Sequence, residues 1–146
     1  MSDKFNIQVV TWASHQSQLR AVRTPVFIVE QAVTPEFEWD DIDATAVHLL
    51  ATLDDLNLET QPIACLRIID YHKIGRMAVL KQYRGHGLGA ALLLAAVAIC
   101  KTHGAKQITL SAQTHAIAFY EKTGFVQVSG VYCDVDIPHV DMLLQI

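Results

Sequence analysis

Residues Lys73–Lys101 read KIGRMAVLKQYRGHGLGAALLLAAVAICK. An apolar-leaning run, Ile74 to Leu80, meets a turn in which Gly85, Gly87 and Gly89 alternate with larger residues, and an Ala/Leu-rich segment opens directly after it. The pattern predicts a strand that ends where a helix begins. The first turn of a helix carries N–H groups with no intrahelical partner, and the helix dipole adds partial positive charge there. Glycine lets an anion approach those groups closely. The stretch therefore reads as a cradle for a phosphate or diphosphate.

Around this stretch the chain is short and apolar. Its 146 residues suit one domain, expected over 1–146, and a hydrophobic fraction of 51% with 18% charged residues suits a packed core rather than a disordered tail. Cys65, Cys100 and Cys133 are odd in number and form no CxxC pair, which points to reduced thiols rather than a disulfide framework or a zinc site. The N-terminus has no long apolar signal region, and the most apolar segment, Leu88 to Cys100, is shorter than the roughly 20 residues that span a bilayer. A soluble cytoplasmic protein is expected, with no membrane partner.

Net charge is -4, but it is unevenly placed. Tyr71 to Tyr120 holds no Asp or Glu and six bases: Lys73, Arg76, Lys81, Arg84, Lys101 and Lys106. That asymmetry suggests an anionic ligand. The bases are too few and too scattered for a nucleic-acid surface. Conversely, Ala32 to Ala44 reads as a loop with five acids, Glu36, Glu38, Asp40, Asp41 and Asp43. It is either a solvated acidic loop or a lure for a cationic substrate such as an amine.

Taken in order, partial alternation predicts a strand over Phe5 to Trp12, and Ser14 is the expected cap of a helix over His15 to Gln31 that Pro25 should kink or divide. Strands follow over Thr45 to Leu53, Pro62 to Ile69 and Lys73 to Leu80, with a turn over Asp54 to Glu59; their short links imply an antiparallel meander. A long helix over Arg84 to His103, capped by Gly104, separates the third of these from a strand over Lys106 to Ser111, so those two are expected to be parallel. A short helix, His115 to Thr123, and strands over Phe125 to Val131 and His139 to Leu144 complete the chain.

Glycine loops bind phosphates in several folds. A Walker A loop requires Lys-Ser/Thr after its last glycine, and Gly89 is followed by Ala90 and Ala91. A dinucleotide loop expects an acid about 20 residues on, and none occurs before Glu121. The motif Q/R-x-x-G-x-G, by contrast, occurs in two overlapping frames, Gln82-x-x-Gly85-x-Gly87 and Arg84-x-x-Gly87-x-Gly89, and a later block reads AIAFYEKTGF. These blocks resemble those of the GNAT (GCN5-related N-acetyltransferase) superfamily. RTPVFIVEQ, ACLRI and DIPHVDM extend the resemblance over the chain toward its ElaA-like/YjcF-like subgroup.

The resemblance implies an α/β (α+β) GNAT fold: a central mixed, mostly antiparallel sheet of about seven strands, helices on both faces, and a splay between the fourth and fifth strands. It implies acetyl-coenzyme A as co-substrate, bound by backbone N–H groups over Arg84, Gly85, His86, Gly87, Leu88 and Gly89 and by the strand edge at Met77, Ala78 and Val79. Tyr120 matches the family's general acid. Gln113 stands where many members carry an Asn that contacts the pantetheine. Glu30 is a candidate base or acceptor contact, and His48, Arg67, His115 and His139 are further candidates for the acceptor side. No HxxxH or HExxH spacing supports a metal. The implied activity is direct acetyl transfer to the primary amine of a small molecule, by a monomer or homodimer. A non-catalytic acyl-coenzyme A sensor is the alternative.

Overall fold

The computed structural model describes residues 5–54 and 60–146. The strands are β1 Phe5–Val10, β2 Val47–Asp54, β3 Thr60–Ile69, β4 Lys73–Val79, β5 Gln107–Gln113, β6 Val126–Gln127, β7 Tyr132–Asp134 and β8 Ile137–Gln145. The helices are α1 Trp12–Arg23, α2 Pro35–Glu38, α3 Leu88–Thr102 and α4 Ile117–Glu121. All eight strands join one mixed sheet in the order β1-β2-β3-β4-β5-β8-β6, with β7 on β8; only β4 and β5 run parallel. The expected fold is therefore the observed one, with one more strand than expected. The extra strand is β7, which pairs with the start of β8 through a turn at Val135 and Asp136, both at positive φ.

Two apolar layers sandwich the sheet. On one face Leu19, Val22, Val26 and Phe27 pack on Leu50, Cys65 and Ala78. On the other, Leu92, Leu93 and Ala96 of α3 pack on Leu49, Ala51, Leu66 and Ile68. Adjacent residues of β2 serve opposite layers, as the period of two requires. Leu92 and Leu93 are both 0% exposed, so burial of each side chain contributes about 1.5–3 kcal/mol. Among the described residues no helix is long and apolar enough to cross a membrane.

Several boundaries differ from the sequence expectation. Thr11, not Ser14, caps α1; its hydroxyl accepts from the Ser14 N–H at 3.1 Å, and the Ser14 hydroxyl accepts from the Thr11 N–H at 3.3 Å. The expected helix is divided beside Pro25: α1 ends at Arg23, and a π-helical stretch, Thr24–Glu30, follows, closed by Gln31 N–H donating to the Val26 carbonyl at 3.1 Å. Ala32 to Ala44 is not a plain loop, since α2 and a 3₁₀ turn at Asp41–Ala44 lie within it. The long helix starts at Leu88, after a 3₁₀ turn at Lys81–Tyr83, rather than at Arg84. Of the expected turn, residues 55–59 lie outside the described residues.

The feature that shapes the site is a bulge in β4. Cys65 pairs with Ala78 and Arg67 with Gly75, so two residues, Arg76 and Met77, stand opposite Leu66. Arg76 takes the extra place with φ 48°. A bulge inverts the strand's alternation and bends it. Accordingly Ile74 belongs to the α3-side core while Ala78, four residues on, belongs to the α1-side core. β4 pairs with β5 only at Lys73–Thr109 and Ile74–Leu110; beyond Ile74 the two strands have no pairing.

Candidate active site

The splay opens a continuous cleft of about 1320 Å³ whose wall includes Gly85, Val79, Tyr120, Gln113, His139 and Arg67. Single-ligand pockets are usually roughly 300–1,000 Å³, so this cleft has room for a large donor and a second molecule.

At one end, Gly85 and Gly87 adopt φ of 83° and 80°, the left-handed region where a side chain is strained. Gly87 caps α3, and the first α-helical bond is Ala91 N–H to the Gly87 carbonyl. The N–H groups of Leu88, Gly89 and Ala90 thus lack an intrahelical partner. The Arg84 N–H does not join them, because it donates to the Lys81 carbonyl at 3.3 Å. The cradle therefore runs from Gly85 to Ala90 rather than from Arg84. Gly89 has a packing role as well: a Cβ there would stand 3.5 Å from the Phe119 ring of α4. His86 is exposed, whereas the Leu88 side chain is buried in the core, which leaves only its backbone for a ligand.

Met77, Ala78 and Val79 line the cleft along the unpaired part of β4. Arg84 reaches across its end. Its Nε donates to the Val79 carbonyl at 2.9 Å, and its two terminal nitrogens grip Glu30 at 2.7 and 2.8 Å. The hydrogen bonds and charge of Arg84 hold the Glu30 carboxyl below its ordinary pKa. A carboxylate so engaged is a weak base, and the expectation for Glu30 as base loses its geometry. Next to it, Gln31 and Gln113 exchange amide bonds at 2.9 and 3.3 Å, and His115 Nε2 lies 2.6 Å from the Gln113 carbonyl oxygen. Glu30 and Gln31 thereby tie the end of the π-helical stretch to both walls of the splay.

Tyr120 packs edge-on against Phe119 and Phe125, with ring centroids 5.1 and 6.1 Å away. Its hydroxyl has no hydrogen-bond partner among the described residues. Burial pushes its pKa up to about 12, so the phenol stays protonated at neutral pH. His139, 8% exposed, sits opposite Gln113 on β8. Its Nδ1 lies 2.7 Å from the Ile137 carbonyl, so Nδ1 is the donor there, and Nε2 makes no hydrogen bond among the described residues. The Tyr132 ring stacks on it at 6.1 Å, and the Tyr132 hydroxyl contacts Ser111 and donates to Asp141 at 2.5 Å.

His48 is not in this group. It is 1% exposed, stacks near Trp12 at 5.7 Å, and places Nε2 2.9 Å from the Asp43 carbonyl. Burial lowers its pKa, consistent with a neutral structural ring. Arg67 does line the cleft, as one member of a closed ring of alternating charge that the sequence did not reveal. Arg76 faces Glu38 at 3.3 Å, Glu38 faces Arg23 at 2.7 Å, Arg23 faces Asp43 at 2.8 Å, Asp43 faces Arg67 at 3.1 Å, Arg67 faces Asp40 at 2.8 Å, and Asp40 returns to Arg76 at 3.5 Å. Glu38 and Asp43 are 2% and 1% exposed, so these two acids are neither solvated nor a free lure, whereas Glu36 and Asp41 are exposed. Of the six bases in the acid-free segment, only Arg76 joins this ring, and Arg84 pairs with Glu30.

A family model for the acetyltransferase (GNAT) domain matches residues 20–146. The chain belongs to the GNAT family. Within it, the chain is 32% identical over 138 residues to the uncharacterized N-acetyltransferase YjcF of Bacillus subtilis, covering 90% of this chain and 95% of that one. It is also similar to an acyl-CoA N-acyltransferase from Pseudomonas aeruginosa, with a TM-score of 0.82 and 31% identity over 97% and 99% of the two chains. The crystal structure of Escherichia coli ElaA gives a TM-score of 0.81 and 28% identity over 97% of this GNAT chain and 100% of ElaA. The chain is thus a GNAT acyltransferase.

Proposed function

We propose that this GNAT enzyme moves an acetyl group from acetyl-coenzyme A to a primary amine by direct attack within a ternary complex. The donor's diphosphate would lie on the N–H groups between Gly85 and Ala90, at the positive end of α3. Its pantetheine arm would run along the unpaired edge of β4. A backbone N–H at Met77 to Val79 would polarise the thioester carbonyl.

The amine nitrogen attacks the carbonyl carbon and loses a proton to His139 Nε2. The C–S bond then breaks, and the departing thiolate takes the Tyr120 proton. The observation that carries this reading is the single cleft joining the N–H cradle, the neutral Tyr120 phenol and His139. Gln113 would give up its bond to Gln31 to meet the arm.

The test is thiol release from acetyl-coenzyme A across a panel of primary amines, with amide formation checked by mass. Amine-dependent release supports transfer. Tight coenzyme A binding with no amine-dependent release from any member refutes it.

A further inference from the structure

The acceptor side of the cleft has an unusual wall. Its ring of three arginines and three carboxylates is formally neutral, so it offers no uncompensated carboxylate to attract a cation. Three ring members line the cleft, Arg67, Arg76 and Glu38, and Glu38 is already paired with both Arg23 and Arg76; Arg23 is enclosed behind them. Arg23 uses Nε and both terminal nitrogens. Arg67 is 5% exposed, yet among the described residues only its Nη1 makes hydrogen bonds. Its Nε is buried without a hydrogen bond; Arg76 Nε also makes none, but it stands 3.3 Å from the Glu38 carboxylate. Buried donors left without an acceptor are costly, and in native proteins they usually have one, often a water or a ligand.

The remaining wall here is apolar. Phe27, Val33, Phe37, Ile42 and Ile69 line this lobe, with Phe37 and Ile42 still 64% and 41% exposed. Lys73 and Asp134, also on the wall, carry opposite charges and make no ion pair among the described residues. Arg67 stands opposite Gly75 in the β3–β4 register, two to four residues from the Met77–Val79 edge. Counted on β3, which carries no extra residue, the partners of that edge lie one to three residues from Arg67, or roughly 3–10 Å along the strand at about 3.3 Å per residue.

We infer that the acceptor is an amphipathic amine: an amino group at the thioester, an apolar body on Phe37 and Ile42, and a carboxylate or carboxamide oxygen that accepts from Arg67. This rests on the acetyl-transfer reading. The acceptor class is thus opposite to that suggested by the run of acids in the sequence, since a polyamine would bring a second cation beside Arg67 and Arg76, where the one ring carboxylate on the wall, Glu38, is already held by two arginines.

A matched six-carbon series tests it: 6-aminohexanoate, 6-aminohexanamide, hexylamine and 1,6-diaminohexane. Each is titrated calorimetrically into wild-type protein saturated with coenzyme A, where no transfer occurs. The two oxygen-bearing compounds should bind at least about tenfold tighter than the other two. A carboxylate that outbinds the carboxamide shows that charge is read, and equal affinity shows that the carbonyl oxygen suffices; both support the site. Equal or tighter binding of hexylamine or the diamine overturns it, as does absence of binding by the whole series.

Arg67→Lys should abolish the preference, while the wild-type series keeps the test valid even if that variant does not fold. Thiol release with acetyl-coenzyme A is read separately. If the binding order holds without release, the Arg67 site stands and the transfer reading falls.

Discussion

Arg23→Met removes the centre of the charge ring. Arg23 is 1% exposed, and its guanidinium donates to Glu38 at 2.7 Å, to Asp43 at 2.8 and 3.1 Å, and to the Glu38 carbonyl at 3.1 Å. Methionine fills much of the volume but leaves two buried carboxylates each short of a partner. Breaking a buried pair from one side costs about 3–5 kcal/mol. Arg76 still faces Glu38 and Arg67 still faces Asp43, so the lower end, about 3 kcal/mol, is expected. Against a total stability of about 5–15 kcal/mol this is large, and it corresponds to a fall of roughly 6–12 °C in Tm for a chain of this size.

The loss carries a pH signature. In the wild type, burial already pushes the Glu38 carboxyl above its ordinary value, despite Arg76 and Arg23. Burial also opposes ionisation of Asp43, but hydrogen bonds and charge from Arg23 and Arg67 hold that carboxyl below its ordinary value. Asp43 therefore contributes stability at neutral pH that is lost as pH falls through its folded-state pKa. Without Arg23, both folded-state values rise. A raised carboxyl favours the folded state when protonated, so the variant regains stability relative to the wild type as pH falls from about 7.5 to about 5. Urea unfolding at the two pH values, with m unchanged, measures this. A cost under about 1 kcal/mol at neutral pH, or a gap that widens in acid, would refute the reasoning.

Tyr120→Phe should lower kcat by about tenfold or more while the Kd for coenzyme A stays within about twofold; wild-type turnover removes the phenol from the mechanism. His139→Asn should lower kcat/KM by about 10²-fold while the Kd for coenzyme A stays within about twofold; an unchanged kcat/KM assigns the base elsewhere. Gly87→Ala forces a side chain into φ 80°, so urea unfolding should show a loss of about 1 kcal/mol, and calorimetry a weaker coenzyme A affinity. Retained affinity would separate the cap from donor binding.

What the sequence discloses about this fold is local chemistry. Gly85, Gly87, Gly104 and Gly124 all take positive φ, and each marks a turn or a helix end visible in the residue order. The Ala/Leu run gives α3, and short links give the β2-β3-β4 meander. The bulge is hidden because its left-handed residue is Arg76, a type that carries no turn signal, and because Ile74 and Ala78 look alike in a hydropathy pattern while facing opposite layers. β7 is hidden for another reason: the turn at Val135 and Asp136 falls in a segment that reads as turn-prone, Cys133 to Pro138, but the three residues Tyr132–Asp134 are too short a run to show a strand's alternation.

The acceptor side is obscured by distance along the chain. Glu38 and Asp43 look solvated in isolation, but their partners Arg23, Arg67 and Arg76 lie 15 to 38 positions away, and Glu30 meets Arg84 across 54. His139 differs from His48 only through Ile137 and Asp43 carbonyl contacts that depend on the finished fold.

The two ties at the end of the π-helical stretch bear on how any donor affinity is to be interpreted. Arg84 occupies the Val79 carbonyl and Glu30, and Gln113 occupies Gln31. A ligand arm that uses the same carbonyl and the same amide exchanges one set of hydrogen bonds for another rather than adding to them. The observed free energy is then the difference between the two sets, reduced further by the fraction of molecules with the ties open. A full-length donor, anchored at its diphosphate, absorbs that difference. A truncated thioester, with no anchor on α3, would meet the same exchange with little left to offset it, so the Arg84 and Gln113 ties would favour the whole cofactor over its fragments.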